Sequence, residues 1–384
     1  MKIDGAAARP QLAFPIYVGP EREDGRIFID ATDLISSKAT GIQRVVKELA
    51  TNAAALGLAH PAAVREGRLM AAGSERLEGI DVREGDILFL PDAGWNRLDD
   101  YLSVLDDFQA KGGKIVGCLH DLFPLTYPAL YTQGLVANFH VWTKKVLLRC
   151  DAIVAVSRSS AESFEEYAKC ASHAPRAGMK LGWWRLGADF EQREHAAPAE
   201  AVALLTRRAP FFLSVGTIEM RKGYPIALEA FERLWAEGLD ANFIIVGRRG
   251  WNASALEARL RGHPEKGRRL FWLENATDAD LSFLYREARA VILPSIAEGF
   301  GLPLVEAAHF GAPVIASDID VFREIGGEGV RYFRVAQPES LQACIRDLLA
   351  GGQVAAKVPK VTWRDSTAEL MRMLREASYQ KSIG

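Results

Sequence analysis

Cysteine is scarce: four in 384 residues, Cys118, Cys150, Cys170 and Cys344, with no Cys-x-x-Cys spacing. That excludes a disulfide framework and points to a reducing, cytoplasmic setting. No apolar run approaches the ~18 residues that a membrane-spanning helix needs. Pro10, Pro15 and nearby acidic residues do not form the basic-then-apolar pattern of a secretory leader. An excess of one charge is also missing: 47 basic against 49 acidic residues, net −2. The count is 22 against 24 up to residue 190 and 25 against 25 beyond it, so neither half has a nucleic-acid footprint. The seven histidines form no His-Glu-x-x-His and no cluster. Gly-x-Gly-x-x-Gly is absent after the first strand, where ISSKATGI stands, which argues against a dinucleotide-dependent dehydrogenase.

What is present is globular. Apolar residues make up 49% and charged residues 25%. The length suits two domains of about 190 residues, each able to bury a core. Short Ile- and Val-rich runs predict strands at Ile27–Ile29, Ile87–Leu90, Ile115–Leu119 and Ala152–Val156. A second set follows at Phe211–Val215, Phe243–Val246, Val291–Leu293 and Val314–Ala316. Helix-period segments alternate with them. Ile42, Val45, Val46, Leu49, Ala50 and Ala53 mark one helix face; Ala227, Ala230, Phe231, Leu234 and Trp235 mark another. The alternation predicts α/β architecture with doubly wound parallel sheets. Capping boxes are expected at Ser159…Glu162 and Ser254…Glu257, and a looser one at Thr362…Asp365. Residues 1–25 read as an irregular leader. The Ala-rich, charged stretch 191–210 reads as a linker. The domains expected are 1–190 and 191–360, with 361–384 as a final helix.

The most informative stretch is AVILPSIAEGFGLPLVEAAHFG, 290–311. A strand is followed by a loop with Gly299 and Gly301, then by a helix with Pro303 at its start and Gly311 at its end. Glu298 and Glu306 bracket the turn as E-x7-E. The free N–H groups of a helix start favour an anion, and carboxylates accept from hydroxyls. Together they suit a ligand carrying both phosphate and sugar. Ordinary surface glutamates beside a capped helix are the bland alternative.

FFLSVGTIEMRKGY, 211–224, places Arg221 and Lys222 after another strand, ahead of Gly223 and Pro225. Two cations at a strand's carboxyl end call for an anionic partner, and a diphosphate fits. The alternative is a solvated basic turn.

These two elements together resemble the nucleotide-sugar half of a retaining GT-B glycosyltransferase of family 4. NATDADLSFLYREA (275–288) and APVIASDIDVFREI (312–325) resemble the family's flanking segments. VTWRDSTAELMRMLREA (361–377) resembles its C-terminal Trp-containing helix, which returns to the N-terminal domain. ATGIQRVVKEL (39–49), HDLFP (120–124) and VAVSRSSAES (154–163) resemble N-terminal segments. The resemblance implies two Rossmann-like domains facing a cleft. It implies that Arg221 and Lys222 hold the donor diphosphate and that Glu306 accepts the ribose hydroxyls. Glu298 would contact the transferred sugar, so removing its charge should spare affinity for free nucleoside diphosphate. The backbone of Phe300, Gly301 and Leu302 would touch sugar and phosphate. Gly41 would let a turn approach the phosphates, and His120 would lie near donor sugar and acceptor. Asp121 would orient His120 or cap a turn.

Segments like these in bacterial mannosyltransferases of surface-polysaccharide assembly point to mannose or a related hexose from a GDP-sugar. The acceptor expected is a glycan or lipid-linked saccharide. A UDP-sugar transferase, a GT-B epimerase and a non-catalytic sugar-nucleotide binder remain alternatives. Asp318-x-Asp320 resembles the metal-binding Asp-x-Asp of the other main glycosyltransferase fold. With Arg221 and Lys222 supplying positive charge, Asp318 and Asp320 are expected as loop and helix-cap residues. No metal and no cofactor are expected. Arg176, Lys180, Trp183, Trp184 and Arg185 form an apolar-basic stretch. Phe139–Arg149, read as a helix with Phe139, Trp142, Lys144, Lys145 and Arg149, forms another. They suit core aromatics with basic residues reaching to solvent; the alternative is a peripheral contact with the inner membrane.

Overall fold

A computed structural model describes residues 17, 19, 25–35, 41–72, 77–189, 199, 202, 209–250, 252–352 and 358–383. Most of the expected leader and linker therefore lie outside the described residues. The chain forms two compact units. One comprises Met1–Cys118 with Thr367–Ser378; the other comprises Leu119–Ser366 with Tyr379–Gly384.

The first unit holds strands β1 (Ile27–Asp30), β2 (His60–Arg65), β3 (Arg68–Ala72), β4 (Leu77–Gly79) and β5 (Ile87–Leu90), with β6 (Lys114–Leu119) at its end. Strands β6, β5, β1 and β2 run parallel in that order, whereas β2, β3 and β4 pair antiparallel. The hairpin was not expected. Its strands are Ala- and Arg-rich rather than β-branched, and Glu66 and Gly67 both turn through positive φ, the geometry of a two-residue hairpin loop. The helix Gly41–Ala55 buries Val45, Val46, Leu49, Ala50 and Ala53, the face read from the sequence. At the carboxyl ends of β1 and β5, Tyr101 donates to Asp30 at 2.6 Å, and Asp92 accepts from the N–H groups of Asp33 at 2.5 Å and Ala93 at 2.7 Å.

The second unit carries strands β7 (Ala152–Ala155), β8 (Met179–Trp183), β9 (Phe211–Val215), β10 (Asn242–Val246), β11 (Leu270–Leu273), β12 (Ala290–Leu293), β13 (Val314–Ser317), β14 (Arg331–Phe333) and β15 (Lys381–Ile383). Six of them form an all-parallel sheet, ordered β11-β10-β9-β12-β13-β14. The four central strands are short and mostly buried, as a sheet covered on both faces requires, while the edge strands β11 and β14 are more accessible. Phe231 stacks on Phe243 at 4.4 Å, and Leu341, Ile345 and Leu348 close the same core. The chain runs from β9 outward through β10 to β11, then returns to β12 on β9's other side. That reversal makes the carboxyl ends of β9 and β12 the ligand position of a doubly wound sheet. Separately, β8 pairs parallel with β7 and antiparallel with β15.

Within the second unit, residues 157–185 bond to later elements. Ser157 donates to the Gly299 carbonyl at 2.6 Å. Glu324 accepts from the Arg158 and Ser159 N–H groups at 2.8 and 2.9 Å, and Arg185 donates to the Ile325 carbonyl at 3.0 Å. These bonds tie residues 157–185 to the elements after β12.

Several local expectations are corrected. The helix expected at Phe139–Arg149 spans Gln133–Lys145, capped by Thr132, and a separate 3-10 turn covers Leu147–Arg149. Its Phe139 and Trp142 are buried, as is Trp184, so these aromatics are core. The helix Arg158–Cys170 is capped by Ser157 rather than Ser159. Ser254 instead accepts from Arg249 at 3.0 Å. A full capping box stands at Thr277 and Asp280. Thr362 and Asp365 exchange hydrogen bonds as expected, at 2.7 and 3.0 Å.

Candidate active site

The strand β9 ends at Val215, and the chain turns through a 3-10 segment, Met220–Lys222, into the helix Tyr224–Ala236. Gly223 joins them with φ +67°, and a Cβ there would run into the Pro294 carbonyl. This close approach holds the Arg-Lys turn against the loop after β12. That loop leads into the helix Leu302–Phe310, with Gly301 as its left-handed N-cap. A Cβ on Gly299 would collide with the carbonyl of His120. Ser160 bridges the same carbonyls, 3.2 Å from that of His120 and 3.0 Å from that of Gly299.

The cations and Glu298 converge. Lys222 Nζ lies 2.6 Å from one Glu298 oxygen, and Arg221 Nη1 lies 3.1 Å from the other. Ser295 donates to Glu298 at 2.6 Å. Arg221 also donates to the Ala297 carbonyl at 2.7 Å and pairs with Glu219 at 2.7 Å. The Arg221 and Lys222 side chains are each 14% exposed and that of Glu298 9%. Burial pushes the Glu298 carboxyl up, yet the charges of Lys222 and Arg221 and the bonds from Lys222 and Ser295 hold it down at about 2. Burial likewise opposes the charge on Arg221, but Glu298 and Glu219 outweigh it and hold the guanidinium more firmly protonated than usual. Ser214, Lys222, Tyr224, Ser295, Glu298 and Phe322 are among the residues around a cavity of about 10 Å³, room for about one water.

The segment after β6 closes over Arg221. Phe123 offers its ring face to the guanidinium at 5.3 Å. Asp121 accepts from the Phe123 N–H at 3.1 Å, so it caps the turn. Burial raises the Asp121 carboxyl, and Arg221 pulls it the other way.

Arg221, Lys222, Glu298, Phe300, Gly301 and Leu302 thus come together, with the main chain of His120 against Gly299. Glu306 lies apart. It is 2% exposed, four residues inside the helix Leu302–Phe310, and accepts from Tyr285 at 2.6 Å. Gly41 opens a helix of the first unit, and the turn before it, 36–40, lies outside the described residues. Sequence reasoning missed Glu219, Ser295, Phe123 and Tyr285. Each sits in a segment already singled out, but nothing in the spacing marked these side chains as partners of the charged residues. Asp318 is held by Arg323 at 2.6 Å, and Asp320 opens the helix Asp320–Gly326, whose N-cap is Ile319. Among the described residues, no group of three His, Cys, Asp or Glu side chains comes together as a metal site, and no helix is long and apolar enough to cross a membrane.

Comparison with known proteins fits this geometry. Residues 200–360 match the family described as glycosyl transferases group 1. The serotype-specific mannosyltransferase WbdA of Escherichia coli is 35% identical over 308 residues, which are 77% of this chain and 38% of that protein. The O-antigen chain mannosyltransferase RfbU of Salmonella typhimurium is 27% identical over 231 residues, 60% of this chain and 59% of that protein. This chain therefore spans well under half the length of WbdA. Among solved structures, the sucrose-phosphate synthase of Thermosynechococcus elongatus gives a TM-score of 0.58 at 16% identity, covering 92% of this chain and 94% of that one. Anabaena HepE in complex with UDP gives 0.60 at 15% identity, covering 92% and 98%. At these identities the likeness is one of fold. The chain has the GT-B fold, and its residues 200–360 match the family model described as glycosyl transferases group 1.

Proposed function

We propose that the chain is a retaining, metal-independent hexosyltransferase. It would move mannose, or a related hexose, from a GDP-sugar to a hydroxyl of a glycan or lipid-linked saccharide in surface-polysaccharide synthesis. The observation that carries this reading is the convergence of half-buried Arg221 and Lys222 on the glycine loop at the switch point of the six-stranded sheet. The mannosyltransferase relatives support the sugar. Breaking the anomeric bond builds positive charge on the sugar and negative charge on the diphosphate. Two fixed cations at the diphosphate act where that negative charge develops. In this reading Glu298 contacts the donor sugar, Glu306 the ribose, and the backbone of Phe300, Gly301 and Leu302 the sugar and phosphate. His120 lies beside donor sugar and acceptor. The departing phosphate oxygen takes the acceptor proton as the new bond forms on the face that the diphosphate leaves.

Thermal-shift titration with GDP-, UDP- and ADP-sugars tests the donor. A GDP-sugar should stabilise the fold most. Stabilisation by a UDP-sugar alone would replace the donor, and stabilisation by none would overturn the reading.

A further inference from the structure

Two large apolar side chains stand exposed among the described residues: Tyr127 at 42% and Met220 at 39%. Scattered exposed apolar residues need no reason. These two flank one half-buried cation, Arg221. Met220 precedes Arg221 in the chain. Tyr127 reaches it through Phe123, whose ring packs on the Arg221 guanidinium at 5.3 Å and meets Tyr127 edge-on at 5.9 Å and 61°. The same short segment supplies polar groups. One Asp121 oxygen accepts from the Phe123 N–H at 3.1 Å, and among the described residues none is seen to donate to the other. The Tyr131 hydroxyl lies in the field of Asp121, Arg221, Glu219 and Glu298.

A flat apolar ring on a segment that also carries Asp121 and Tyr131 suits a pyranose, which offers a face of C–H groups and a rim of hydroxyls. We propose that Tyr127 is the platform on which an acceptor sugar, a pyranose of the glycan that receives the hexose, stacks beside the site. Position supports this. The inference rests on the donor reading above, in which Arg221 holds the diphosphate and the acceptor must lie one sugar beyond it. Tyr127 is two ring contacts from Arg221. A lipid surface is the poorer occupant, because membrane docking needs a wider apolar face than two side chains.

The test uses the full chain, with methyl α-mannopyranoside and an α-linked mannobiose as probes. Binding is read by saturation-transfer NMR and affinity for GDP by calorimetry. Tyr127→Ala should weaken both mannosides about 10-fold or more, and raise the acceptor KM to match, while Tyr127→Phe stays within about 3-fold of the native chain. Affinity for GDP should stay within about twofold in both variants. Unchanged melting temperatures would show that the exposed ring carries no folding role. Mannoside binding by Tyr127→Ala equal to the native chain's would overturn the proposal. So would an equal loss of GDP affinity, or anionic phospholipid vesicles that lose binding to Tyr127→Ala while the mannosides do not. If the native chain binds no GDP yet mannoside binding depends on Tyr127, the donor reading fails and the platform stands.

Discussion

Replacing Glu298 with Gln should tighten the binding of free nucleoside diphosphate. Assigning Glu298 to the sugar alone predicts no change. In the structure its two oxygens sit on Lys222 at 2.6 Å and Arg221 at 3.1 Å, in a nearly closed environment. An incoming diphosphate must therefore share or displace this resident anion. A charge-assisted bond contributes about 1.5–3 kcal/mol, so removing the competitor should raise GDP affinity by roughly 10- to 150-fold. Turnover should still fall, because the sugar contact is lost. The same substitution should destabilise the unliganded fold. Arg221 keeps Glu219 at 2.7 Å, while Lys222 loses its ion-pair partner. A carboxyl lowered from 4.5 to about 2 corresponds to about 3 kcal/mol, near the 3–5 kcal/mol typical of a broken buried pair. Since the folded pKa is depressed, this stability is present above the unfolded value and is lost as pH falls from about 4.5 towards 2. Calorimetry with GDP, and urea unfolding between pH 2 and pH 6, measure both effects. A folded Glu298→Gln protein with native or weaker GDP affinity would refute the competition.

Arg221→Ala and Lys222→Ala should each reduce turnover by ~2–4 kcal/mol of transition-state stabilisation with the fold intact; unchanged rates would remove that residue from the site. Glu306→Gln should weaken GDP and whole donor alike by roughly 10- to 150-fold, read by calorimetry. Because buried Glu306 accepts from Tyr285, Tyr285→Phe should lower stability by about 1 kcal/mol through the lost hydrogen bond, measured by urea midpoint. In the first unit, burial and the neighbouring Asp30 and Asp33 push Asp92 up to about 7. A raised folded pKa means stability present below the unfolded value and lost as pH rises through about 7, so Asp92→Asn should unfold at higher urea than the native chain at pH 8, with the advantage shrinking at pH 5.

The eight strands read from the sequence all appear, within one residue of their expected ends, because buried parallel strands leave continuous Ile, Val and Phe runs. The missed strands mostly lack such runs, although β11, LFWL, has one and was passed over. β2 and β3 are Ala- and Arg-rich, β15 is the three residues Lys381–Ile383, and each finds its place only through a partner. Helix caps were misplaced where several hydroxyls compete within one turn, as Ser157 does with Ser159. At the site, the spacing of Arg221, Lys222, Glu298 and the two glycines was legible because strand ends and glycine turns are local. That Glu298 neutralises both cations was not legible, since 76 residues separate it from Lys222. Nor was the packing of Phe123 on Arg221 or of Tyr285 on Glu306, which depends on tertiary placement of single side chains.

The most direct test of the central claim is NMR of the product formed from GDP-α-mannose and an α-mannoside acceptor in excess chelator. An α-linked product with matching release of GDP is predicted. A β-linked product, turnover restored only by added magnesium or manganese, or GDP-mannose left intact would contradict a retaining, metal-independent mannosyltransferase.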